Sequence, residues 1–401
     1  MRARLFHRAL IVASAVTVWR YLSQVLFRPG SRGDLDILLL AGERFLRHEP
    51  IYRLADSSEH TKPPLLTPLL LPLTWIPRDW AHTLSDLTLL ALPGVIFWLW
   101  QRYREKTLSS TTGMLGFLLL SPLWLVEAQY GQYNLLQLAL LLGALLLCRP
   151  ERGLMEKGLS GGLFTATLLL KPTVIFFAPW FLRLQTADRD GTRVRIRTTV
   201  LPFIAGSLAT LLLLGAVSVA LSSFTHVLED LRTWKGFIAV SQARHLVRDD
   251  NFGIPTLLAR LGWDPSRGLL LLLAPLFLSL AVCMQAKERR MGWLWIHTAS
   301  LTFSPMCWRQ NFVVFLPLAW ELIEMFRENP RRQKNLAIAG LLALFLVGRV
   351  SDYWVSRDLQ KVWNFWAIPS LLTWLALFAL TLARSKGEAR PGLTSREPAR
   401  A

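Results

Sequence analysis

Charge is the commodity this chain has least of. Only 18% of its 401 residues are charged, against 52% hydrophobic, where a soluble chain carries about 25%. Several soluble domains, which the length alone would allow, are thereby disfavoured. So is intrinsic disorder, which needs low hydrophobicity. Cysteine is scarce and odd in number, with three residues, so no disulfide framework is expected, and no Cys/His spacing suggests a metal. Acids are scarcer than bases: 27 Asp and Glu against 45 Lys and Arg, a net charge of +18. That excess alone suggests nucleic acid or a membrane surface.

What is abundant decides between the two. Apolar stretches recur along the whole chain, and short polar breaks separate them. The basic residues cluster in alternate breaks, around Arg4, Arg104, Arg152, Arg195, Lys287, Arg332 and Lys386. Dispersal over short loops excludes a nucleic-acid face and fits the excess of cytoplasmic Lys and Arg seen in polytopic membrane proteins. Placing every cluster inside predicts twelve spans with both termini cytoplasmic. These are Ala9–Phe27, Trp80–Trp100, Gly113–Glu127, Asn134–Cys148, Gly158–Leu170, Thr173–Leu184, Thr199–Leu221, Ser266–Gln285, Met291–Phe303, Gln310–Phe326, Asn335–Gly348 and Trp363–Ala383. The first resembles a signal peptide, but its apolar run continues to Phe27, so an uncleaved helix is expected.

Two segments need the charge rule. Leu65–Ile76 is apolar but short and rich in proline, so it reads as an interfacial or re-entrant segment. Gly158–Leu184 reads as two short helices meeting at Lys171-Pro172, because proline breaks a helix and lysine is costly in lipid. A single domain over residues 1–384 is expected, followed by a basic, disordered cytoplasmic tail at 385–401. The large outer loops are 28–79 and 222–265, and most of the acids lie in the outer loops or at their edges. In the first loop Leu35, Leu38, Leu39, Phe45 and Leu46 recur at helical spacing, which predicts an amphipathic helix lying on the membrane. Asp34 opens that helix, and from local sequence it is a cap or a first-turn acid. Asp36 reads as a solvated charge. Eight of the 17 tryptophans (Trp75, Trp80, Trp98, Trp100, Trp124, Trp180, Trp363 and Trp366) fall near span ends and read as interfacial belts.

Several motifs stand in order on this frame. Asp34-Leu35 is followed by Ala41 and Tyr52. Lys62-Pro63-Pro64-Leu65 is followed by Pro72. Gly131-Gln132-Tyr133-Asn134 separates two spans. Gly161-Gly162 precedes Leu170-Lys171-Pro172. Asn251 precedes Leu257-Leu258-Ala259-Arg260, and Ser304-Pro305-Met306-Cys307-Trp308 closes the series. Together they resemble glycosyltransferase family 87, polyprenol-phosphate-sugar-dependent enzymes of the GT-C fold, from about Asp34 to Pro317. The match departs in two places. Lys62 stands where the family has Tyr, and Arg309-Gln310-Asn311 stands where members often carry a His pair.

The resemblance implies an all-α polytopic membrane protein with a GT-C-like bundle, in a bacterial-type plasma membrane, with an extracytoplasmic active site. It implies inverting transfer of a hexose, mannose by default, from a lipid-linked donor to a glycolipid or glycan acceptor. It makes Asp34 the catalytic base, with Asp36 as fallback. Lys62, Lys171 and Arg309 are candidates for the donor phosphate; Gln132, Asn134, Asn251, Trp308 and Gln310 are further substrate-binding candidates. The bland alternatives stay open: snorkelling for Lys171, a surface charge for Lys62, a helix anchor for Arg309, a cap for Asn134. A phosphate leaving group needs no general acid, and a metal is not obligatory, so no cofactor is expected. Beside the donor and acceptor, membrane lipid is the expected partner and nucleic acid is not. Rival readings are a transporter or flippase of a lipid-linked sugar, and a polysaccharide ligase or polymerase.

Overall fold

A computed structural model describes residues 2–27, 33–53, 60–149, 151–184, 200–246, 248, 250–264, 273, 275–278, 281, 289–328, 331–349 and 357–388. The protein is all-α among these residues. Its α-helices are α1 (Arg2–Phe27), α2 (Asp34–Leu46), α3 (Thr67–Thr74), α4 (Arg78–Arg104), α5 (Ser110–Tyr130), α6 (Asn134–Leu147), α7 (Leu154–Leu170), α8 (Ala178–Leu184), α9 (Leu201–Leu221), α10 (Phe224–Leu246), α11 (Ile254–Arg260), α12 (Arg289–Thr302), α13 (Leu316–Glu328), α14 (Arg331–Arg349), α15 (Arg357–Phe365) and α16 (Ile368–Glu388). Three of them, α4, α5 and α9, are long and apolar enough to cross a membrane. The expected span Ser266–Gln285 lies largely outside the described residues, as do the basic loop at Arg189–Arg197 and the tail from 389 onward.

The core is contributed mainly by α4, α5, α6, α12, α13, α14 and α16, and bulky aromatics fill it, Trp100, Trp124, Trp293 and Trp320 among them. Trp100, Trp124 and Trp180, expected at interfaces, are instead fully buried, whereas Trp75, Trp80, Trp98 and Trp366 are exposed as a belt would require. Glu321 and Glu324, one turn apart on α13, are buried and matched by charge. Glu321 accepts from Trp100 at 3.1 Å and pairs with Arg104 at 3.2 Å and with Arg384. Glu324 pairs with Arg327 at 3.0 Å and accepts from Thr112. Removing one partner of such a buried pair leaves an uncompensated charge, so this network ties α4, α5, α13 and α16 together at one end. The candidate site lies at the other end of α5, about 30 Å away at 1.5 Å per residue.

Several expectations are corrected. The amphipathic α2 forms where the periodicity predicts it, but protein, not lipid, covers much of its apolar face. Ala41 and Phe45 pack with Leu71 of α3 and with Val227 and Phe237 of α10, while Leu35 and Leu39 pack on Ala81 of α4. The loop 222–265 contains a 23-residue helix, α10, followed by α11. The segments expected to begin at Thr173 and Gln310 open as 3₁₀ turns, Pro172–Phe177 and Arg309–Phe315, before α8 and α13 start. The last span begins at Ile368, not Trp363, because Ala367 adopts a left-handed φ of 48° that separates it from α15. Leu65–Ile76 holds the eight-residue α3, about 12 Å long and far short of the ~30 Å hydrocarbon core. The short 3₁₀ turn before it packs Leu66 against Leu169 of α7 and Leu214 of α9.

Candidate functional site

The site grows from the break between α5 and α6. Gly131 takes the left-handed conformation (φ 60°, ψ 38°) that ends α5. The Gln132 amide then returns to Glu127 O at 3.0 Å and the Gly131 amide to Ala128 O at 3.2 Å, a glycine-terminated helix end. The Glu127 carboxylate, fully buried, accepts the Leu135 amide at 2.8 Å. It thereby satisfies one of the orphan donors that open α6. Gly-Gln-x-Asn is thus a stop followed three residues later by a start, and it fixes Gln132 and Asn134 in a rigid turn.

A second glycine brings Asp34 to that turn. Gly33 has φ 53° and ψ −114°, a combination outside the regions open to L side chains. A Cβ there would lie 2.7 Å from Tyr130 O. The entry to α2 therefore rests directly on the end of α5, as only glycine permits. Asp34 is the first residue of α2, and its Oδ2 accepts from Gln132 Nε2 at 2.7 Å. Asp36, the fallback, is held away by His82 at 3.0 Å and Arg78 at 3.5 Å.

Two lysines face this carboxylate. The segment carrying Lys62 is pinned from both sides: Tyr52 Oη donates to Lys62 O at 2.7 Å, and Trp234 Nε1 of α10 donates to Thr61 O at 3.2 Å. Lys171 follows α7 in extended conformation (φ −149°, ψ 103°) ahead of Pro172, which is how the Lys-Pro break forms. Its Nζ donates to Asn134 Oδ1 at 2.9 Å. Asp34, Lys62 and Lys171 share one half-buried environment. Burial raises the Asp34 carboxyl above its ordinary range, and the two lysines partly offset that. Burial lowers the Lys62 ammonium, against the pull of Asp34. It also lowers Lys171, to about 8, with the neighbouring Lys62 adding to the effect.

The far wall comes from late in the chain. Asn251 is fully buried and not part of the cavity lining. Its Nδ2 donates to His245 O at 3.0 Å and Pro305 O at 2.6 Å, while its Oδ1 accepts from Gly253 N at 3.0 Å and Cys307 N at 3.1 Å. It also pairs with Trp308 as an antiparallel bridge. Asn251 thus staples the end of α10 to the segment before the Arg309 turn. Trp308 stands on that staple with His245 at its edge, 5.1 Å between centroids, and the Arg248 guanidinium 4.9 Å over its ring.

Asp34, Lys62, Gln132, Asn134, Lys171, Trp308, Arg309 and Gln310 all line a single cavity of about 840 Å³. Of the residues singled out in the sequence for the site, Asn251 and the fallback Asp36 are not brought to it. Gln137, Arg244, His245 and Arg248 line it as well. Arg244 and His245 stand in the last turn of α10 and Arg248 follows its end; the helical period of α10 in the second outer loop is marked by buried Val227, Asp230, Phe237 and Ser241. Gln137 carried no signal beyond standing one turn after Asn134. Among the described residues the side chains of Lys62 and Arg309 have no hydrogen-bond or ion-pair partner, so the cavity presents cations with unspent donors beside Asp34, while its second carboxylate, Asp250, is paired with Arg248 at 3.0 Å.

The profile of glycosyltransferase family 87 matches residues 60–307. That stretch includes Lys62, Gln132, Asn134, Lys171 and Asn251 and leaves Asp34, Trp308, Arg309 and Gln310 outside. None of the curated proteins matches the chain.

Proposed function

The chain belongs to glycosyltransferase family 87, and on that premise we propose that it moves a hexose, mannose by default, from a polyprenyl phosphate to a hydroxyl of a glycolipid or glycan. The observation that carries this reading is the cavity itself, whose lining Asp34 shares with Lys62, Lys171 and Arg309. The chemistry needs one group to take a proton and several to hold an anion. As the acceptor oxygen bonds to the anomeric carbon, the bond from that carbon to the phosphate oxygen breaks and its electron pair leaves with the lipid phosphate. The acceptor proton passes to Asp34. Attack from the face opposite the phosphate inverts the centre. Lys171, Lys62 and Arg309 stabilise the charge that develops on the departing phosphate. Arg309 takes over the phosphate contact where relatives often carry a His pair, and the ring of Trp308 stacks on a sugar ring, with Gln310 beside it.

In this reading residues 1–384 form one GT-C-like bundle of twelve spans in a plasma membrane. Both termini are cytoplasmic and the cavity opens on the outer face. The alternation of basic clusters supports that orientation, and the apolar character of α4, α5 and α9 supports a place in the membrane. The reading is tested with membranes carrying Asp34→Asn, assayed for transfer from a radiolabelled polyprenyl-phosphate hexose. A fall in turnover of about 10²–10⁴-fold is expected for loss of a general base. Undiminished transfer would remove Asp34 from that role.

A further inference from the structure

Gln132 and Asn134 look like sugar-binding amides in the sequence, but the hydrogen bonds of the site engage each of them, one N–H and the oxygen, within the protein. Gln132 Nε2 donates to Asp34 Oδ2 at 2.7 Å, Asn134 Nδ2 donates to Gln132 Oε1 at 3.4 Å, and Lys171 Nζ donates to Asn134 Oδ1 at 2.9 Å. The series runs unbroken from a carboxylate to an ammonium. Its direction is forced by chemistry. An ionised carboxylate only accepts and an ammonium only donates. Gln132 must therefore turn its NH₂ towards Asp34, and Asn134 must turn its oxygen towards Lys171. The two remaining ends, a carbonyl and an NH₂, then face each other as acceptor and donor. Flipping either amide would break two contacts at once. The backbone beneath is equally constrained, by the left-handed Gly131 on one side and by the Glu127–Leu135 bond on the other.

We propose that Gln132 and Asn134 are positioning residues that tie the base to the phosphate-holding lysine, and that they do not select the sugar. The proposal rests on the glycosyl-transfer reading of the cavity. It assigns them separate consequences. Gln132 gives Asp34 an N–H donor that favours the charged carboxylate and fixes the direction in which it takes a proton. Asn134 holds the Lys171 ammonium at the cavity wall before the donor arrives, so that less ordering remains to be done on binding.

The test uses full-length protein in membranes, with a radiolabelled polyprenyl-phosphate mannose as donor and turnover followed from about pH 5 to about pH 9. For Gln132→Leu the expected result is a fall in kcat on the order of tenfold or more with little change in donor KM. The acid limb of kcat/KM should also move to higher pH. Gln132→Glu, which sets a second carboxylate beside Asp34, should move that limb further, and it carries the test if the leucine variant does not accumulate. Asn134→Leu should raise donor KM and leave the acid limb in place. A Gln132 variant that raises KM alone, or that loses rate equally at every pH, would overturn the assignment in favour of a sugar contact or a packing role. Asp34→Asn is measured alongside. If it keeps full turnover, or if the unaltered protein transfers nothing, the glycosyl-transfer reading falls and this proposal falls with it. A dead Asp34→Asn protein with an unmoved acid limb in both Gln132 variants overturns the positioning role alone.

Discussion

Gly33→Ala is the most informative small change available in this protein, because it adds one methyl group and alters no side chain of the candidate site. At φ 53° and ψ −114° the alanine is itself strained, which costs about 1–3 kcal/mol unless the backbone rotates. Its Cβ would also lie 2.7 Å from Tyr130 O, where carbon and oxygen rest at about 3.3 Å. The start of α2 must therefore move by about half an ångström away from the end of α5, and Asp34 is the next residue. Misplacement of a reacting group by about 1 Å costs on the order of 10²-fold in rate, so half that shift predicts roughly a tenfold loss of kcat. Donor KM should change little, since Lys171 and Arg309 sit on other segments. The assay is transfer from a polyprenyl-phosphate hexose by purified protein in detergent, with thermal unfolding to show that the fold persists. Wild-type kcat in a folded Gly33→Ala protein would refute the argument that this close approach sets the position of the base.

Other consequences follow from the same geometry. Lys171 loses its charge as pH rises through about 8 rather than near the ordinary 10.5; donor KM should therefore climb above pH 8, and Lys171→Ala should show a raised KM that no longer varies there. Asn251→Ala strands buried amides and carbonyls now satisfied by one side chain, and at about 1–3 kcal/mol for each group left unsatisfied the melting temperature should drop clearly and donor KM should rise as Trp308 and Arg309 lose their support. A reporter fused after Arg195 should read as cytoplasmic, and an external reading would break the two-short-helix account of Gly158–Leu184.

Much of this molecule was legible in its residues. The α2 face, the Lys171-Pro172 break and the α5–α6 break at Gly131 follow from local rules: a 3.6-residue period, a proline that cannot continue a helix, a glycine that can turn left-handed. Other features escaped those rules for physical reasons. The helix α10 carries charged and aromatic residues on a surface that is only partly buried, so its apolar stripe is thin. The burial of Trp100, Trp124 and Trp180 could not be read from their nearness to span ends, because a tryptophan at a helix end faces lipid headgroups or a neighbouring helix with equal ease. The role of Asn251 was displaced for a similar reason. An asparagine in a polar loop looks free to bind a ligand, and only its four partners, drawn from segments before and after it, show it to be spent.

The sequence by itself determined membership of a glycosyltransferase family, the all-α character, and the residue types that the chemistry uses. Hydropathy, helix period and helix breakers act over a few residues, so they survive in the linear order. The tertiary structure alone decided that Asp34, Gln132, Asn134 and Lys171 meet in one hydrogen-bonded series, that Asp36 is drawn off by Arg78 and His82, and that Asn251 stands behind the wall rather than in it. Those outcomes depend on which backbones approach closely, such as Gly33 on Tyr130. Closeness of that kind is set by packing between segments about a hundred residues apart.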